Sequence, residues 1–444
     1  MVSVISRSGG RTATGIAGRT RGRLSAAGAT LGALAMVSMG MVPSASAAEA
    51  PPPWHLTAMK AEQMWKASTG EGMTVAVIDT GVNAGTPALK GQVVDGDLPV
   101  EVAYKSTEDY SGHGTSMAEI IAGTGSAGGI KGLAPDAKIL PIRIGLNGLK
   151  DKSEIKKAPS VAEAIRAAAD SDAKIISMSF GGSFILKEEA EAVAYAYSKG
   201  KLLFAAVGND AGKATFKGKF IGYPAGYPYV VGVAAADKTG TVGKFSEHGI
   251  DVDLAAPGLD VPAWCDATFT QYCTTQGTSG ATAVASASAA LVWSAHPDWT
   301  NNQVLNALLE TAGRDWPREQ PSNYLGYGLI RPRVVLAEPG FDPGAPDADP
   351  LIKEHESAFK ASSDFKPTPE PIPSTSAGAS SGAEAEGEAP ADAGKPAAGG
   401  EGETAAAAEA GDGSSLVWPI AGAIAAVVVI GGVTVVVLRK RRSA

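Results

Sequence analysis

Four short stretches of this 444-residue chain carry side chains able to do chemistry. Asp79 closes the apolar run "TVAVID" and is followed by Thr80-Gly81; a carboxylate at such a strand end is costly to bury unless a donor stands beside it. His113 lies between Gly112 and Gly114 in "SGHGTS", with little around the ring to pack on it, so the imidazole is free to approach another group. Ser279 opens "SGATAVASASAAL", a helical stretch in which nearly every residue is small. Short neighbours let a substrate backbone and an imidazole reach that hydroxyl, and the N–H groups of a helix start point at an oxygen gaining negative charge. Asn209, one residue past Gly208 in "AAVGN", offers a further amide donor to the same oxygen. Carboxylate, imidazole, hydroxyl and amide together are the equipment of nucleophilic acyl transfer. Each also has an ordinary reading: Asp79 and Asn209 as turn residues, the glycines around His113 as a plain turn, Ser279 as a helix N-cap.

The elements that must bring these groups together read as an α/β domain. Residues 73–79, 137–144, 173–179, 201–207 and 229–235 are nearly continuous apolar runs, as expected of strands buried on both faces. Between them, "APSVAEAIRAAADSD" and "LKEEAEAVAYAYSKG" have the spacing of amphipathic helices. Strand, helix, strand in this order implies right-handed crossovers and a mainly parallel sheet with helices on both sides. In such sheets ligands gather at the carboxyl ends of the strands, which is where Asp79 and Asn209 fall.

In chain order, Asp, His, Ser is the sequence of triad residues found in subtilisin. "VAVIDTGV", "SGHGTS", "AAVGN" and "QGTSGATA" resemble the motifs of the subtilisin-like serine peptidases (family S8), in the family's order and across residues 54–338. The resemblance implies a three-layer subtilisin-like fold and peptide-bond hydrolysis without a cofactor. In it Ser279 attacks, His113 moves the proton, Asp79 orients the imidazole, and Asn209 with the Ser279 N–H holds the oxyanion. "ISMSFGG" is similar to the family's substrate-binding strand, so Ser179, Phe180 and Gly181 are expected to pair with substrate backbone. "KFSEHGIDVDLAAPG" resembles another family signature and leaves His248 a structural residue of a surface turn, as His296 is beside Pro297. Two positions depart from the pattern: Ala283 stands where the family usually has proline, and Ala118-Glu119 where it commonly has Ala-Gly.

Both ends of the chain address a membrane. An Arg-bearing start leads into an apolar run over Leu24–Met41 and the small-residue site Ala45-Ser46-Ala47, the pattern of a signal peptide over 1–47. Residues 416–438 carry no charge and are followed by "RKRR"; this is long enough to cross a bilayer, with the basic tail 439–444 retained on the cytoplasmic side. The expected location is therefore the cell membrane, single-pass, with the catalytic domain outside. The peptidase domain is expected over 48–338. Residues 339–415, rich in Pro, Ala, Gly and Glu, read as a disordered stalk, with fifteen acids against four lysines over 340–415. The whole chain has net charge −8 and its body lacks a basic stripe, which speaks against a nucleic-acid partner. Between Ala47 and Trp54 only a handful of residues remain, too few for the pro-domain of many secreted relatives.

In an exported chain the lone pair Cys265 and Cys273 is expected to form a disulfide across a loop. Five histidines with no CxxC or HExxH offer no transition-metal site, and Asp237, Asp251 and Asp253 lack a calcium-ligand spacing. The architecture as a whole is similar to the mycosin branch of the family, membrane-anchored proteases associated with type VII secretion. An active surface protease acting on protein or peptide substrates competes with two other readings: a protease fold kept as a scaffold in a secretion complex, and a binding module on a parallel sheet. The last leaves Asp79, His113, Asn209 and Ser279 unexplained.

Overall fold

Strand β1 (Thr74–Asp79) alternates its side chains between two apolar layers: Val75 and Val77 join one buried cluster, Ala76 and Ile78 the other. An uninterrupted apolar run is therefore what a strand covered on both faces requires. The structure, a computed structural model, describes residues 49–145, 152–212 and 221–353. The expected signal peptide over 1–47, the part of the expected stalk from 354 on, the expected membrane segment over 416–438 and the expected basic tail over 439–444 lie outside the described residues. Among the described residues no helix is long and apolar enough to cross a membrane.

Six strands form one parallel sheet in the order β2-β1-β3-β4-β5-β6. Besides β1 these are β2 (Lys138–Arg143), β3 (Ile175–Met178), β4 (Leu202–Ala206), β5 (Val230–Ala236) and β6 (Leu254–Pro257). The first five occupy the apolar runs singled out above. β6 was not anticipated: at four residues inside a family-like loop motif it is too short to stand out by pattern. One layer of helices comprises α1 (Trp54–Met59), α2 (Ala61–Met64) and α3 (His113–Ala122), then α7 (Thr278–Ala295), α8 (Asn301–Glu310) and α9 (Pro332–Leu336). The other is built on α5 (Val161–Asp170) and α6 (Lys187–Ser198), with a short turn α4 (Lys152–Ile155) before them. The helix α5 begins at a capping box in which Ser160 and Glu163 bond each other's backbone N–H. The fold is thus the expected three-layer α/β arrangement.

α7 explains why its residues are small. Every residue from Gly280 to Trp293 is buried, and the helix lies against β3, β4, β5 and β6 as well as α3, α8 and α9. A methyl group at Gly280 would stand 2.9 Å from Val261 Cγ2. Bulky residues would push the layers apart, and interiors this dense tolerate little added volume.

Two features lie beyond the expected architecture. A two-stranded antiparallel hairpin, β7 (Val261–Trp264) and β8 (Tyr272–Thr275), precedes α7 and is closed by the Cys265–Cys273 disulfide. Residues 339–353, grouped with the stalk by composition, instead run along α8. Thr300, Gln303 and Asn306 donate side-chain hydrogen bonds to the carbonyls of Pro346, Gly344 and Pro343, and Leu351 is buried in the core. The folded body extends that far because α8 supplies polar partners to a segment with few apolar residues of its own.

Candidate active site

The sheet places the expected residues at one edge. Asp79 is the last residue of β1, Ser179 follows β3, and Asn209 lies three residues past β4. The strand order reverses at β1, between β2 and β3, and such a switch point leaves a crevice outside the carboxyl ends.

Asp79 is fully buried. Its Oδ1 accepts the Thr80 N–H at 2.7 Å and lies 2.7 Å from His113 Nδ1; the carboxylate thus holds the proton on Nδ1 and leaves Nε2 as the basic nitrogen. His113 is the first residue of α3. That helix can approach β1 only because residue 114 is glycine: a Cβ there would fall 2.2 Å from the Gly81 carbonyl oxygen and 3.1 Å from Asp79 Cβ. The glycines beside His113 therefore serve close backbone approach rather than a plain turn. Burial pulls the His113 imidazole down, but the Asp79 carboxylate and its hydrogen bond, with Asp109 behind them, outweigh it, and the net pKa lies above the ordinary histidine value. The imidazole keeps 36% of its side-chain surface accessible.

Asp109, which sequence reasoning did not single out, fixes this helix start. Its Oδ1 accepts from Thr80 Oγ1 and from the N–H groups of Ser111 and Gly112, each at 2.9 Å. Its Oδ2 accepts from Thr115 N–H at 2.9 Å and Thr115 Oγ1 at 2.7 Å. Thr80 Oγ1 in turn accepts the Gly114 N–H at 3.0 Å. The capping position itself is Gly112, which has no side chain; a carboxylate from three residues earlier replaces it, which the usual cap rule does not find. Asp109→Ala strands these buried donors and is expected to cost about 3 kcal/mol of stability, the upper end for a buried unsatisfied group, read from the urea midpoint.

Ser279 is the second residue of α7 and makes no capping hydrogen bond, so the N-cap reading does not hold. Its hydroxyl donates to the Ser179 carbonyl at 3.0 Å, while Ser179 Oγ donates to the Ser279 carbonyl at 3.0 Å. Among the described residues no hydrogen bond joins Ser279 Oγ to His113. The two side chains face the same cavity of about 330 Å³, together with Gly112, Trp264 and Gly277. A second cavity of about 240 Å³ also borders Ser279 and is lined by Ser179, Phe180, Gly181, Gly222 and Glu247.

Asn209 and Ser279 line both cavities. Asn209 Oδ1 accepts from Thr278 N–H at 2.9 Å and Thr278 Oγ1 at 3.0 Å. With its oxygen engaged by two donors on α7, the amide presents its NH2 as the remaining group; a Cβ built on Gly277 would meet that nitrogen at 3.5 Å and the Ser279 backbone N at 3.8 Å. The expected substrate strand, Ser179, Phe180 and Gly181, forms a wall of the smaller cavity. It is closed beyond Gly181 by the bridge between Gly182 and Tyr223, whose N–H groups and carbonyls bond at 2.7 and 2.8 Å.

His248 and His296 stand apart from this site, stacked on Tyr324 and Trp299 with ring centroids 4.5 and 3.9 Å apart. Ala283, where the family pattern has proline, is fully buried in α7. Asp237 is tied into its own turn by Thr239 and Thr241, and Asp253 Oδ2 accepts the Gly232 N–H at 2.7 Å. Among the described residues no group of three or more His, Cys, Asp or Glu side chains could hold a metal ion. Arg143, level with Asp79 in the β1–β2 register, buries its guanidinium against Tyr104 and Tyr110, 5.3 and 5.5 Å from their rings.

The chain is 37% identical over 227 residues to thermitase of Thermoactinomyces vulgaris, covering 50% of this chain and 76% of thermitase. It is 31% identical over 280 residues to subtilisin Savinase of Lederbergia lenta, covering 63% of this chain and 96% of the subtilisin. Among solved structures, MycP1 from Mycobacterium smegmatis superposes with a TM-score of 0.55 at 27% identity, covering 67% of this chain and 87% of MycP1. The MycP3 protease from the type VII (ESX-3) secretion system gives 0.52 at 28%, covering 67% and 90%. The model of the subtilase family matches residues 70–328, more than half of the chain and the whole span from the entry of β1 to the segment beyond α8. With every sheet strand and cavity described above inside that span, this chain belongs to the subtilase family and is a subtilisin-like serine endopeptidase.

Proposed function

We propose that this protein is a membrane-anchored extracellular endopeptidase that uses Asp79, His113 and Ser279 as its triad and serves type VII secretion. The observation that carries the triad is the 2.7 Å contact between Asp79 Oδ1 and His113 Nδ1, with Ser279 facing the cavity that the imidazole enters. To react, the Ser279 hydroxyl leaves the Ser179 carbonyl and turns across the shared cavity toward His113 Nε2. The imidazole accepts the proton as Oγ attacks the peptide carbonyl, then returns it to the leaving amine, and Asp79 stabilises the imidazolium formed between. The oxyanion accepts hydrogen bonds from Asn209 Nδ2 and the Ser279 N–H. Substrate backbone pairs with Ser179, Phe180 and Gly181 and fills the smaller cavity with one side chain.

Asn209→Leu removes a donor that acts on charge developed in the transition state. It is expected to lower kcat by about 10²–10³-fold with KM little changed, in a steady-state assay on an internally quenched protein substrate.

The secretion link rests on the mycosin structures among the chain's neighbours, and the membrane anchor rests on the uncharged residues 416–438 followed by "RKRR". Labelling of the full chain with a fluorophosphonate probe, compared with Ser279→Ala, tests the catalytic reading. Label on the natural chain and none on the variant supports it. No label on well-folded natural protein transfers weight to a scaffold role in the secretion complex.

A further inference from the structure

Glu119 occupies the middle of α3, six residues past His113, and is completely buried. Its two carboxyl oxygens are taken by two residues of the β7–β8 hairpin: Trp264 Nε1–H donates to Oε1 and Tyr272 O–H to Oε2, each at 3.1 Å. Trp264 and Tyr272 are register partners across the hairpin, and their rings stack with centroids 3.7 Å apart. The hairpin touches the same helix a turn earlier as well. Trp264 N–H donates to Ser116 Oγ at 2.9 Å, Ser116 Oγ donates to the Gly112 carbonyl at 2.7 Å, and a Cβ on Gly112 would stand 2.9 Å from the Asp266 carbonyl oxygen. From β8 the chain passes through Gln276 and Gly277, both lining the His113 cavity, directly into Thr278 and Ser279.

The hairpin is thus the covalent lead-in to the serine and is clamped to the helix that begins with the histidine. We infer that Glu119 is a positioning residue of the reaction, acting through Trp264 and Tyr272 to hold the lead-in to Ser279 in register with His113. This rests on the triad proposed above. Each Glu119 oxygen accepts a hydrogen bond from the hairpin that leads into Ser279, while Glu119 itself sits on the helix that begins with His113, and the disulfide between Cys265 and Cys273 ties the two strands of that hairpin together.

The groups facing the carboxyl are Trp264 and Tyr272 from the hairpin, the Thr86 hydroxyl, and the backbone at Ile130. No cation faces it from these elements. Burial raises the carboxyl to about 7 against the bonds from Thr86, Trp264, Tyr272 and Ile130, which pull it down. Because its folded value lies above the ordinary glutamate value, the stability Glu119 contributes is fully present below that ordinary value and is lost as pH rises through about 7, when a charge must form in the buried site that holds the hairpin. This limb has the opposite sense to that of His113, which must lose its proton to act.

The test uses the full chain in detergent, reading kcat and KM on an internally quenched protein substrate together with the rate of fluorophosphonate labelling. Labelling of the natural chain comes first; its absence would count against the proposed function and not against Glu119. Glu119→Ala is expected to lower kcat and the labelling rate about tenfold with KM within twofold. Glu119→Gln, which keeps the shape, accepts from Trp264 Nε1–H through its carbonyl oxygen and can donate its NH2 to the Tyr272 oxygen, is expected to recover kcat to within threefold and to lose the fall in kcat above pH 7. If Glu119→Ala does not fold, Trp264→Phe decides, with an expected threefold loss of kcat at constant KM. A folded Glu119→Ala with natural kcat and labelling rate, a Trp264→Phe with natural kcat, or a Glu119→Gln that keeps the alkaline limb would each overturn the inference.

Discussion

Ser279→Ala is expected to lower kcat by about 10⁶-fold, the loss that accompanies removal of the nucleophile from a triad acting as a unit. Stability should hardly move. Ser279 makes one side-chain hydrogen bond, to the Ser179 carbonyl, and losing one such bond costs about 1 kcal/mol, while the Ser179 hydroxyl still donates to the Ser279 carbonyl, a backbone group that alanine retains. The discriminating result is therefore a large kinetic loss with a thermal midpoint displaced by only a few degrees. A variant that kept more than a thousandth of the natural kcat would show that another group attacks the peptide, and the triad assignment would fail.

Asp79→Asn is the second large effect, expected at about 10⁴-fold in kcat. The carboxylate accepts from His113 Nδ1; an amide placed there can turn its NH2 toward the ring, forcing the proton to Nε2, the nitrogen that has to act as base. The variant also moves the pH profile in a defined direction. Asp79 is a main cause of the raised His113 pKa, against the lowering by burial. The natural enzyme needs neutral imidazole, so its kcat/KM falls as pH drops through a value above the ordinary one of about 6.5. Without the carboxylate the histidine returns toward burial control, and the acid limb moves to lower pH. Residual activity of Asp79→Asn measured from pH 5 to 9 checks this sign; a limb displaced upward would contradict the electrostatic account.

Much of this site was legible in the residues because the chemistry constrains them locally. A carboxylate ending an apolar strand, a histidine between glycines and a serine opening a helix of small residues each violate what packing alone would choose. Those violations are where sequence patterns expose function. The five central strands were legible for the same reason: a strand covered on both faces has no alternative to an apolar run. The illegible parts depend on distant partners. Asp109 caps α3 from outside the capping position, so no local rule points to it. β6 is held in the sheet by β5, and the hairpin β7–β8 docks through Glu119, which read as a departure from the family pattern rather than as a contact. Residues 343–346 have a stalk's composition, and polar side chains from the N-cap and first turns of α8 tie them down.

The reciprocal bonds between Ser179 and Ser279 mean that the resting protein keeps the proposed nucleophile latched to the wall on which a peptide is proposed to lie. Unlatching forfeits one hydrogen bond, about 1 kcal/mol, or roughly a fivefold reduction in the armed population. That is too little to silence the enzyme. It is enough to slow small electrophiles that meet the resting cleft by the same factor, a protection that costs the fold nothing because the hydroxyl needs a partner in any case.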